Sequence, residues 1–69
     1  MEPKTIVGSN IRANRRRLKL TQEALAQRCE MNPVEVGRAE RGQRDLRIST
    51  VAKLARGLDI PASELLRGI

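Results

Sequence analysis

Residues 21–42 read TQEALAQRCEMNPVEVGRAERG, and the spacing of start and stop residues within them decides the architecture. Thr21 is a cap residue, Glu23 suits the positive end of the helix that follows, and Arg28 suits its negative end. Leu25 and Cys29 stand one turn apart and mark the inward face. Asn32 offers a second cap, and Pro33 in the next position has its φ already set for a first helical turn. Val36 and Ala39 carry the inward face on to Glu40 and Arg41, and Gly42 is a natural stop. Only Glu30 and Met31 separate the end of the first helix from the cap of the second. So short a connection keeps two helices from lying side by side, and they must cross steeply.

Working outward, Val7, Ile11 and Leu18 share one side of a helix over about 6–18, with Thr5 as its cap. Arg12, Arg15, Arg16 and Arg17 occupy the rest of that cylinder. Downstream, the basic loop 43–47 leads to a fourth helix, capped by Ser49. Val51, Leu54, Ala55 and Leu58 give it an i, i+3, i+4, i+7 stripe. A short fifth helix follows Ile60 and Pro61 and carries Leu65 and Leu66. Strand-type alternation is almost missing, as are repeats and low-complexity linkers. The expected fold is all-α, a compact bundle of five short helices forming one domain over 1–69.

A chain of 69 residues makes a thin domain, burying about 60% of the surface its unfolded form exposes. The lone Cys29 makes no internal disulfide, and there is no histidine, so zinc binding and the usual hydrolase chemistry are excluded. Neither an enzyme, nor a cofactor, nor a small-molecule substrate is expected. Spaced one turn from Leu25, Cys29 reads as a small core residue rather than a redox switch. The net charge of +6 comes from eleven Arg and three Lys against eight acids. That balance fits a polyanionic partner, nucleic acid or an acidic membrane surface, and equally a solvated charged surface. The absence of Phe, Tyr and Trp narrows the choice, because proteins that bind single strands stack bases on aromatic rings, whereas a helix reading a duplex needs none. No apolar run approaches the roughly 20 residues of a membrane span, and no secretory core is present at the N-terminus. A cytoplasmic protein with no membrane partner is expected.

Several fragments, in this order and at these spacings, carry a resemblance. They are Ile11-Arg12 with Arg15, Leu20-Thr21-Gln22-Glu23 followed by Leu25-Ala26, Val36 with Glu40-Arg41-Gly42, and Leu54-Ala55 with Leu58. Together they resemble the lambda-repressor-like (XRE) helix-turn-helix family, over nearly the whole chain. The resemblance implies a DNA-binding domain of four or five helices whose third helix enters the major groove. Residue by residue, it implies that Asn32, Pro33, Val34, Glu35 and Arg38 face the bases. Arg38 is the preferred base reader, since bidentate Arg to guanine is the commonest specific contact. Val34 suits a thymine methyl, while Glu35 either accepts from cytosine N4 or repels phosphate in wrong registers. Gln22 matches the family's phosphate-binding position at the start of helix 2. Arg41, Gln43, Arg44 and Arg47 are further candidates for phosphate contact, with plain solvated charge the alternative reading for some of them. Arg15 and Glu40 match positions that form a structural ion pair between helices 1 and 3.

The chain departs from the pattern in two turns, where the family often has glycine and this sequence has Lys19 and Glu30. If those backbones are left-handed, each costs about 1 kcal/mol. Gly37, inside the recognition helix, either lets the DNA backbone approach or is merely tolerated. The implied partners are double-stranded DNA and a second copy of the chain, since this motif normally reads two half-sites. The apolar segment from Ile60 through Leu65 and Leu66 to Ile69 is the candidate dimer surface, with closure of the chain's own core an equal alternative for Leu65. The function implied is transcriptional regulation in a prokaryote or phage. A protein-interaction module of antitoxin or coactivator type, with DNA contact secondary, is the competing reading.

Overall fold

A computed structural model describes residues 1–69. The chain forms five helices and no strand: α1 (Pro3–Arg17), α2 (Gln22–Cys29), α3 (Pro33–Glu40), α4 (Ile48–Gly57) and α5 (Ala62–Leu65). Two caps form as side-chain chemistry dictates. Thr21 Oγ1 accepts from the Ala24 N–H at 3.0 Å, and Asn32 Oδ1 accepts from the Val34 N–H at 2.8 Å. Two other starts differ from expectation. α1 begins at Pro3 with Glu2 before it, and Thr5 lies inside the helix. Proline at the first position, with no N–H to satisfy, sets that start. α4 begins at Ile48, one residue before Ser49, with Arg47 in the cap position and no side-chain cap.

All four longer helices end the same way. One or two residues past each helix the chain turns left-handed, at Lys19 (φ 59°), Glu30 (φ 54°), Gly42 (φ 70°) and Asp59 (φ 57°). In each case that residue's N–H and the next one's bond back to the last turn: Glu30 to Gln27 O at 3.3 Å and Met31 to Ala26 O at 2.9 Å, for example. This is the Schellman geometry, which satisfies carbonyls the helix leaves open. Glycine occupies one of the four positions; the other three carry the strain of a side chain there. Those three are each followed by an apolar residue, Leu20, Met31 or Ile60, packed against the core. Gly42 is followed by exposed Gln43. An anchored apolar neighbour offsets the strain where glycine is missing.

The core is wholly apolar and collects Ile11 from α1, Leu25 from α2, Val36 from α3, Leu54 from α4, Leu58 just past its end, and Leu65 from α5, all fully buried. Cys29 is buried among them. Two glycines let helices come closer than any side chain would allow. A methyl on Gly8 would lie 2.4 Å from the Ala39 carbonyl oxygen, and one on Gly57 would lie 2.3 Å from Cys29 Sγ. α1 therefore rests on the end of α3, and α4 rests on α2. Arg28 adds a tie across the second contact, donating to the Gly57 carbonyl at 3.0 Å. Asn10 closes the bundle by donating to the carbonyls of Leu65 and Arg67, both at 2.9 Å.

Candidate nucleic-acid interface

Val36 and Ala39 turn the inner side of α3 into the core and leave its outer side to solvent. Asn32, Pro33, Val34, Glu35 and Arg38 are all exposed there. Val34, at 56% exposure, is a β-branched apolar residue with nothing of its own chain to cover it. Asn32 spends its carbonyl oxygen on the cap and keeps its amide N–H groups free to donate. The Arg38 side chain makes no hydrogen bond or ion pair within the chain, so its guanidinium is unengaged.

A groove runs along each side of this surface. One lies against α2, and its lining includes Thr21, Gln22, Glu23, Val34, Gly37 and Arg41. The other lies against the loop after α3 and is lined by Glu35, Arg44, Asp45, Arg47 and Thr50. Each groove thus sets cationic or amide groups beside the exposed residues of α3. Gln22, Arg41, Arg44 and Arg47 come together with α3 in this way. Gln43 is exposed, and the structure ties only its backbone to α3, through its N–H to the Arg38 carbonyl at 3.1 Å.

Arg15 and Glu40 hold this surface in place. Arg15 Nε donates to Glu40 Oε2 at 2.6 Å and Nη2 to Oε1 at 3.0 Å, a bidentate fork. Its Nη1 donates to the Leu20 carbonyl at 2.9 Å, so one guanidinium joins α1, the turn before α2 and the end of α3. The side chains are 12% and 3% exposed. The hydrogen bond to Glu40 raises the Arg15 pKa further, against the opposing effect of burial. Gln22 Nε2 donates to the same Glu40 oxygen, Oε1, at 3.2 Å, so the amide at the start of α2 is oriented before any ligand arrives. Sequence reading places Gln22 at a helix start but does not reveal this tie, which joins positions 18 apart. It also overlooks Thr50, which lines the second groove from the first turn of α4.

Capped α2, its two-residue connection and an exposed α3 define a helix-turn-helix protein. The chain belongs to the XRE-type helix-turn-helix family: the family's model, described as Helix-turn-helix, matches residues 11–65. Among solved structures it is similar to the restriction-modification controller protein C.AhdI from Aeromonas hydrophila. That match has 37% identity and a TM-score of 0.87 over 90% of this chain and 94% of that one. It is also similar to a hypothetical transcription factor from Neisseria, with 28% identity and a TM-score of 0.90 over 94% of this chain and 75% of that one. The clp gene regulator ClgR from C. glutamicum, at 20% identity and a TM-score of 0.91, covers 96% of this chain and 86% of that one and shares the fold. Among curated protein sequences none matches.

Proposed function

We propose that this chain is a sequence-specific duplex-DNA reader that regulates transcription, with α3 seated in the major groove. The observation that carries this reading is the exposed side of α3, flanked on both sides by grooves holding Gln22 and Arg41 or Arg44 and Arg47. Family membership supports it, as does similarity to a restriction-modification controller and a hypothetical transcription factor. Asn32, Pro33, Val34, Glu35 and Arg38 meet base edges; Gln22, Arg41, Gln43, Arg44 and Arg47 meet phosphates.

The reading includes a homodimer. The chain is 27 Å along its longest dimension and presents one α3. Successive major grooves on one face of B-DNA are about 34 Å apart, so reading two of them takes two copies. Leu65 belongs to the core, at 0% exposure, and drops out of the candidate contact surface. Ile48, Leu66 and Ile69, at 89%, 45% and 64% exposure, border one apolar groove between the start of α4 and the C-terminus and replace it.

Salt titration on random duplex, followed by selection of bound sequences, tests the reading. With Arg41, Arg44 and Arg47 on phosphates in each of two protomers, log Kd should change with log salt at a slope of about 5. Arg38→Ala should lower discrimination at one base position by about 1–3 kcal/mol and leave random-sequence binding nearly unchanged. Binding that ignores salt, or a wild-type protein that selects no sequence, refutes it.

A further inference from the structure

Gly37 sits mid-way along α3, where glycine weakens a helix relative to alanine. Its backbone is ordinary helix, so no turn requires it there. It is buried, although it lies on the same side as the groove toward α2. What buries it is specific. A methyl at this position would lie 3.2 Å from Arg41 Nη1 and 3.4 and 3.6 Å from Gln22 Oε1 and Nε2. Arg41 is one helical turn further on, and helical side chains lean back toward the N-terminus, so its guanidinium falls over residue 37. Gln22 arrives from the other wall, its amide held by Glu40.

We propose that Gly37 is a positioning residue for DNA binding: its missing side chain is the seat in which the Arg41 guanidinium and the Gln22 amide lie together beside α3. The two polar groups then form one phosphate clamp, with the Arg41 guanidinium resting against residue 37 and the Gln22 amide beside it. Pre-ordering a long cation removes part of the entropy that binding would otherwise have to overcome. A methyl at 37 meets the Arg41 guanidinium at 3.2 Å, so that group must give by a few tenths of an ångström and loses its fit beside Gln22, and because it is the far end of a flexible chain, the fold itself is spared. The proposal rests on the duplex-reading assignment above and extends it to a residue that touches neither base nor phosphate.

The test is Gly37→Ala in the full chain, measured by thermal unfolding and by affinity for the selected duplex across a salt series. The expected result is a melting temperature a few degrees higher, an affinity roughly tenfold lower, and a salt slope smaller by about 1 per protomer. Base preference should stay as in the wild type. In an Arg41→Ala background, Gly37→Ala should change affinity less than twofold, because the group it displaces is gone. Full affinity and an unchanged slope in Gly37→Ala overturn the proposal while leaving the duplex-reading assignment intact. A tenfold loss that persists without Arg41, or a fall in melting temperature, also overturns it. A wild-type protein that binds no duplex overturns both.

Discussion

Replacing Arg15 with alanine removes the charged partner that covers the Glu40 carboxylate, 3% exposed while Arg15 lies over it, and leaves one neutral donor, Gln22 Nε2 at 3.2 Å. Removing one partner of a buried ion pair costs about 3–5 kcal/mol, because the surviving charge is stranded. Domains of this kind hold about 0.05–0.15 kcal/mol per residue, so the whole chain has roughly 3–10 kcal/mol to lose. Arg15→Ala should therefore remove a third or more of the total. At about 4–8 °C per kcal/mol for a domain of this size, the midpoint falls by about 12 °C or more. Arg16, one residue along, is exposed and forms no ion pair. Its alanine variant should stay within about 0.5 kcal/mol of wild type. Far-UV circular dichroism during a reversible thermal ramp reads both. The variant Arg15→Met with Glu40→Leu, which replaces the pair by apolar groups, should recover most of the loss. Equal midpoints for Arg15→Ala and Arg16→Ala would refute the reasoning.

Other substitutions probe the packing. Glu30→Gly removes left-handed strain of about 1–2 kcal/mol and adds about 0.5–1 kcal/mol of unfolded-chain entropy. It should raise stability by about 0.5–1 kcal/mol in chemical denaturation, and a loss of stability would contradict strain at that turn. Gly57→Ala drives a methyl onto Cys29 Sγ and should cost about 1–3 kcal/mol. In a Cys29→Ala background the penalty should shrink, and strictly additive values in a double-mutant cycle would count against the contact. Burial pushes the Cys29 thiol above its ordinary value of 9.0, with Arg28, a hydrogen bond at Gly57 and Lys53 opposing. A raised folded pKa means this contribution is complete below about pH 9 and is lost as pH rises through the folded value. The melting temperature should accordingly fall on the alkaline side, and less steeply for Cys29→Ala; identical profiles would rule the thiol out.

What could be read from the chain follows from how local the cause is. Thr21 and Asn32 act on N–H groups three and two residues away, so their caps are visible in a string of letters. The inward stripes of α2, α3 and α4 are legible for the same reason. The start of α1 is less so, since Val7 and Ile11 define a face but not an end, and the marker is Pro3. Leu65 ends a helix of four residues and Leu66 follows it, too short a stretch for a period to say which points inward. In the candidate site, exposure of the α3 residues follows from the stripe, whereas the tie of Gln22 to Glu40 depends on how helices meet in space. Gly8, Gly37 and Gly57 are similar: each is defined by what another element brings up against it. Lys19 and Glu30 stand out as departures once the family pattern is known; Asp59, the third left-handed residue of this kind, does not.

The four left-handed stops bear on how a target would be met. Each fixes the direction of the outgoing chain with a pair of backbone hydrogen bonds, which limits the slack left for induced fit at these turns. An inflexible reader transfers the burden of adjustment to its template. On the proposed function, stiff and supple dinucleotide steps between half-sites should then influence affinity where no amino acid reaches them.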